Sequence, residues 1–102
     1  MTFTFLYVTT ANEKEAFTIA RHLLNRRLVA CANLFPIQSL YWWKGKIQEG
    51  KETVVILKTI KEKVALTRKE IKKIHSYSIP GITEITVRPN EQYGQWLQKQ
   101  LA

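Results

Sequence analysis

The sequence predicts an α+β sandwich in which four strands form one sheet, two amphipathic helices cover one of its faces, and a short helix ends the chain. Three observations carry this. Runs with strand periodicity and stripes with helical periodicity follow one another in the order β-α-β-β-α-β. Each of the two longer helices has a single apolar stripe, which suits packing on one face of a sheet and leaves the other face bare. The aromatic cluster Tyr41-Trp42-Trp43 and the strands around it offer more apolar surface than a monomer of 102 residues is expected to leave in water, so another copy is expected to hide it.

Residues 2–10 read TFTFLYVTT, with Phe3, Phe5 and Tyr7 on one side and Thr4, Leu6 and Val8 on the other. Apolar residues on both sides suit a central strand. Asn12 offers a side-chain oxygen to the first free amides of a helix, and Glu15 follows three residues on. Ala16, Ile19, Ala20, Leu23 and Leu24 then recur at helical spacing, which predicts a helix over 12–26 with Arg26 and Arg27 near its negative end. Residues 28–35 form a second apolar run. Pro36 cannot donate to a ladder and is expected at a bulge or an edge.

Residues 37–43 resume as a strand, and Lys44-Gly45-Lys46 reads as a turn because Gly45 reaches positive φ without strain. Ile47 starts the return strand, Glu49-Gly50-Lys51 is expected to interrupt it as a bulge or loop, and 52–59 (ETVVILKT) completes it. A long bent hairpin from 28 to 59 results. The pattern over 61–75 is helical, with Val64, Ile71 and Ile74 as its main apolar positions and Lys63, Lys69, Lys72 and Lys73 on the outer faces. The segment 76–81 (SYSIPG) is a loop, 82–87 the last strand, and 92–101 a short helix carrying Tyr93, Trp96, Leu97 and Leu101. Two βαβ-type halves on one sheet make a ferredoxin-like sandwich, one domain over 1–102.

Sixteen Lys and Arg against eight acids give a formal charge of +8, and with 11% aromatics the composition is that of a folded chain, not a disordered one. No apolar run approaches the ~20 residues that span a bilayer, and the first residues lack the basic region of a secretory signal, so no membrane partner and a cytoplasmic location are expected. The single cysteine excludes a disulfide framework within the chain. All eight acids are Glu, most on helix surfaces or in turns, and the one conceivable nucleophile–base pair, Cys31 with His75, sets its thiol in the middle of an apolar strand, so catalysis is the weakest reading. Nucleic acid is not expected either, because no strand carries the glycine-and-aromatic pattern of an RNA-recognition module.

Several fragments fit together beyond periodicity: VTT before an acidic helix start, ARHLLNRRLVACANLFPIQSLYWWKGKI, ILKT, and HSYSIPGI before the final strand. Together, from Tyr7 to Trp96, they resemble the CutA family of divalent-cation tolerance proteins. The resemblance implies the ferredoxin-like fold, a homotrimer built through sheet edges, structural kinship with P-II signalling proteins, and a non-enzymatic role in tolerance of copper or another divalent cation. It also implies departures. Val8 stands where some members place a cysteine, Ile74 precedes the single His75 where they pair histidines, and Ser76, Ser78 and Gly81 replace a proline and two acids of the usual loop.

Each candidate residue has two readings. Cys31, between Ala30 and Ala32, is a packed thiol or a soft copper ligand. His75 complements a helix end or, as an imidazole, joins Cys31 in holding a metal, with donors from different subunits meeting. His22 lies between the buried stripe and the solvent face of its helix and is expected to have no site role. Trp42 and Trp43 face opposite ways, so one is expected in its own core and the other, with Tyr41, against a neighbouring subunit. Lys58 interrupts an apolar strand, where it snorkels to solvent or, as the resemblance suggests, lines an inter-subunit cleft with Asn33 and Tyr77 that holds a small anion. Three functions remain open: a metal-tolerance trimer with ligands in shared clefts, a P-II-like sensor of an anionic metabolite, and a trimer that works through its outer surface.

Overall fold

The computed structural model describes residues 1–102. The elements are β1 (Phe3–Thr10), α1 (Glu13–Asn25), β2 (Cys31–Trp43), β3 (Lys46–Thr59), α2 (Lys61–Ile74), β4 (Ile82–Val87) and α3 (Glu91–Leu101). Four antiparallel strands lie in the order β2-β3-β1-β4. This is the ferredoxin-like arrangement that the element order predicts.

Strand alternation sorts the side chains onto two faces. Leu6 and Val8 pair with Leu57 and Val55, and Ala32 and Leu34 lie beside them on β2. Onto this face α1 brings Ala16, Ile19, Ala20 and Leu23, and α2 brings Val64 and Ile71, to make the main core. On the other face α3 covers only one end, where Leu97 and Leu101 pack with Phe3 and Ala30. Gly94 faces that end: a Cβ there would stand 3.2 Å from Phe3.

Local signals explain the helix boundaries. Asn12 Oδ1 accepts the Glu15 amide at 2.9 Å, and Glu15 Oε1 accepts the Ala11 amide, a capping pair shifted by one residue from the usual box. At the far end the Leu28 amide bonds Leu23 O and the Arg27 amide bonds Leu24 O, the two closures of a Schellman motif. Arg27 takes the left-handed position, φ 57°, that glycine usually fills. Glu70 on α2 is buried and receives His22 of α1 at 3.2 Å, Arg26, which caps the end of α1, at 3.4 Å and Lys73 at 2.9 Å. His22 therefore belongs to the clasp between the helices, a role its place on the helix wheel does not reveal.

Three expectations about the hairpin are corrected. Its ladder is unbroken from Cys31↔Lys58 to Trp43↔Lys46, so Glu49-Gly50-Lys51 forms neither a bulge nor a loop, and of the bulge or edge expected at Pro36 the sheet shows the edge. Pro36 sits in the ladder opposite Thr53 because β2 is an edge strand, whose outward row of amides makes no ladder bond. Residues 28–30 are a buried connection, and the strand begins only at Cys31. The turn uses Lys44 and Gly45 at φ 51° and 77°, the two left-handed residues of a type I′ hairpin. Finally, neither Trp42 nor Trp43 enters the core: they are 72% and 42% exposed, because the hairpin runs out beyond the helix layer. The molecule measures 45 × 24 × 21 Å as a result.

Candidate functional site

Between the outer half of the hairpin and the loop after α2 lies a groove of about 760 Å³. Its floor is the uncovered sheet face, with Tyr7 and Thr9 of β1, Ile37 and Ser39 of β2 and Glu52 of β3. Tyr41 and Trp43 form one end, and Tyr77, Ser78 and Ile79 of the loop form the wall. Gly50 stands opposite Ser39, so β3 contributes no side chain there and the floor stays open.

The loop that forms the wall is anchored by polar contacts at the top of the sheet. The His75 Nε2–H donates to Thr9 O at 2.8 Å, and the Tyr77 amide donates to His75 Nδ1 at 3.0 Å. Because a backbone amide can only donate and a carbonyl only accept, these contacts select the Nε2–H tautomer. The ring of Tyr77 rests on that of His75, with centroids 4.8 Å apart. Glu15 Oε2 accepts the Ser76 amide at 2.8 Å, so one carboxylate ties the start of α1 to the loop. Burial opposes the ionisation of Glu15, but the amides of Ala11 and Ser76 and the nearby His75 outweigh it and hold its pKa below the ordinary value.

Tyr77 then reaches down to the floor. Its hydroxyl donates to Glu52 Oε2 at 2.6 Å. Burial and the bond to that carboxylate both raise the pKa of the phenol well above its ordinary value, so it remains a donor.

The residues expected to form sites are distributed differently. Cys31 is half-buried on β2 opposite Lys58, level with Phe5 of β1, and packs against the α3 cluster. His75 is bonded to Thr9, four positions farther along β1, or about 13 Å at the usual strand rise. The two do not meet within one chain, and both nitrogens of His75 are engaged. No three His, Cys, Asp or Glu side chains of the chain are grouped to hold a metal ion.

Nor do Lys58 and Tyr77 line one cleft within the chain. Glu52, which Tyr77 grips, is six positions from Lys58 on β3, about 20 Å away. Lys58 instead lies under α3, with Nζ 3.0 Å from Tyr93 Oη and 5.2 Å from the ring centroids of both Phe5 and Tyr93. Asn33, opposite Ile56, shares the open face with Lys58 and is exposed. Glu52 was not legible as a site residue, since from sequence it is one more acid beside a lysine in a strand.

Comparison with known proteins gives one answer. The family model described as CutA1 divalent ion tolerance protein matches residues 4–100. The divalent-cation tolerance protein CutA of Archaeoglobus fulgidus is 42% identical over 96 residues, 93% of this chain and 94% of its own length. That of Thermotoga maritima is 42% identical over 95 residues, 92% and 94% of the two chains. A solved structure, described as the periplasmic divalent cation tolerance protein CutA from Archaeoglobus fulgidus, matches with a TM-score of 0.95 at 40% identity, covering 98% of this chain and 99% of its own. No helix of the present chain is long and apolar enough to cross a membrane.

Proposed function

The chain belongs to the CutA1 divalent ion tolerance protein family, and from that premise we propose that it works as a non-enzymatic homotrimer whose copies close one another's open sheet faces and hold a divalent cation or small ligand in the clefts between them. The observation that carries the reading is the uncovered face. Phe35, Ile85, Tyr41 and Trp43 all lie on it and are 38–47% exposed. The exposed area of the chain is 6869 Å², against about 5,900 Å² expected of a compact monomer of this mass. The radius of gyration is 14.2 Å, where ~12.8 Å is usual for this length. A protruding apolar hairpin suits a chain built to be covered by its own copies.

In this reading the cation takes donors from more than one copy, Cys31 and His75 among them, since one chain brings no three donors together. His75 would have to give up its bond to Thr9 or to Tyr77 to become a ligand. We place the protein in the cytoplasm on the strength of its single free thiol. The word periplasmic belongs to the Archaeoglobus fulgidus protein.

A second reading rests on Lys58. Its ammonium is half-buried and faces two rings and a phenol with no carboxylate beside it. An ammonium so placed has hydrogen-bonding capacity left for a small anion, as in a P-II-like metabolite sensor, with Asn33 on the same face.

Copper titration by calorimetry on the wild type, His75→Ala and Cys31→Ser, with light scattering for mass, separates these readings. Saturable copper binding lost in either variant supports the metal-holding trimer. No copper binding, together with phosphate or carboxylate binding lost in Lys58→Ala, supports the anion sensor. A monomeric mass at micromolar concentration overturns the shared clefts.

A further inference from the structure

The positive charge of the chain is concentrated on one side of the sandwich. Residues 13–27 and 61–74, which are α1 with its cap residues and α2, hold ten Lys and Arg against four Glu and so supply +6 of the formal +8. These helices roof the covered face of the sheet, and their outer side points away from the open face that other copies close.

Helical spacing lays out two rows on that outer side. Opposite the buried stripe of α1 stand Lys14, Thr18, Arg21 and Asn25, and opposite that of α2 stand Glu62, Leu66, Lys69 and Lys73, all exposed. The bonds from Ser76 to Glu15 and from His22 to Glu70 set the helices antiparallel, so Lys69 and Lys73 lie beside the stretch from Lys14 to Arg21. Lys14, Arg21 and Lys69 make no ion pair. Glu70, buried between the rows, meets Arg26 through Oε1 and Lys73 through Oε2, yet the side chains of those two cations remain 58% and 60% exposed. One carboxylate thus fixes two cations without neutralising both, and each keeps donors for an anion.

The composition of the rows selects the partner. Neither row holds an aromatic ring, so the bases of a single strand have nothing to stack on. The apolar stripes of both helices are used in the core, and Leu66 is the only apolar member of either row, so no apolar face is left to enter a bilayer. Packed helices stand about 8–10 Å apart, close to the ~12 Å width of the major groove of a DNA duplex, whose phosphates line its two sides. Cations clustered on one face of a chain with a pI of about 9.8 suit contact with that backbone, which reads no bases and needs no base-reading strand.

We propose that the outer face of α1 and α2 binds the phosphate backbone of double-stranded DNA without regard to sequence, through Lys14, Arg21 and Lys69 together with Arg26 and Lys73 as Glu70 holds them. One chain supplies the whole face, so the site requires neither a metal nor the clefts between copies.

The test is a fluorescence-anisotropy titration of the full chain into a labelled DNA duplex of about 20 base pairs, with KCl raised from about 50 to about 200 mM. The expected result is saturable binding, equal for two duplexes of unrelated sequence, that weakens about 500-fold over that range if five phosphates are contacted. Lys14→Gln/Lys69→Gln removes two cations that make no ion pair. It should weaken binding about tenfold or more at the lower salt and make the logarithmic salt slope shallower by about 2. Lys44→Gln/Lys46→Gln removes the same charge from the hairpin tip and should leave affinity and slope unchanged. No saturation at the lower salt overturns the proposal, as does an equal loss in both double variants, the mark of attraction to net charge alone. Tighter binding of the single strand, or of phosphatidylserine vesicles at the same salt, overturns it as well. The copper and phosphate titrations probe other residues, so their failure and the failure of this proposal are read separately.

Discussion

The two faces of the sheet are made from the same kinds of residue and end in different states. On β1, Leu6 and Val8 are fully buried under α1 and α2, while Phe5 and Tyr7, one position away, are only half-buried. On β4, Ile82 packs against the main core whereas Ile85, on the other face, is 44% exposed. The contrast teaches that burial here depends on cover, and that strand composition does not decide it. Two helices of thirteen and fourteen residues roof one face, while the eleven residues of α3 roof one end of the other. Val54 marks the limit of the contrast: it points to the open face and is nonetheless fully buried, between Thr9 and Phe35 in the register.

The largest effect is expected on the covered face. Leu57→Ala removes a fully buried side chain from the main core and should destabilise the chain by about 2–5 kcal/mol in urea unfolding. Ile85→Ala on the open face should cost less than about 1 kcal/mol if that face stays bare. A loss at Ile85 equal to that at Leu57, accompanied by a fall in mass, would show that another copy covers it. Next comes the capping of α1. Asn12→Ala, which deprives the Glu15 amide of its acceptor, should lower stability by about 1 kcal/mol and shift the thermal midpoint by several degrees.

Acid should act through the elements that roof and anchor the covered face. The pKa of Glu70 is lowered, first by the hydrogen bond with Lys73 and then by that with His22, and that of Glu15 is lowered as described above. A carboxyl with a depressed folded pKa contributes stability that is fully present above its ordinary value, 4.5, and that is lost as pH falls toward the folded value. Stability should therefore be flat from neutral pH to about 5 and decline below 4.5, with a shallower decline in Glu70→Gln. An equal decline in the variant would mean that the clasp between α1 and α2 carries no linkage. The smallest effect belongs to the hairpin tip, where Trp42→Ser should change monomer stability by no more than about 0.5 kcal/mol. A larger change would locate a partner on that side of the hairpin.

Much of this molecule was readable before its structure. The α1 stripe (whose last member, Leu24, is exposed where the pattern predicts burial), the Asn12 and Glu15 start, the Lys44-Gly45 turn and the order of elements all rest on contacts within a few residues, and such contacts are written directly in the sequence. Within the hairpin the local signal misleads at Glu49-Gly50-Lys51, which stays in the ladder. Pro36 and Gly50 usually break ladders, and only their places in the assembled sheet, an edge strand and a register position opposite Ser39, let them stay within one. The candidate site was hardly readable at all. His75 is drawn to Thr9 across 66 residues and Tyr77 to Glu52 across 25, and no local pattern announces such pairs.

What the sequence determined by itself is therefore the family, the four strands and three helices, and the fact that one sheet face lacks a roof, since each follows from residue identity and short-range periodicity. The tertiary structure decided which charges meet. It placed Lys58 under Tyr93, at the other end of the sheet from Tyr77, engaged both nitrogens of His75 in holding a loop, and left Glu52 among aromatic rings without a cation. Those outcomes depend on strand register, where a shift of one residue would send every side chain to the other face. Register is settled only when the whole sheet assembles.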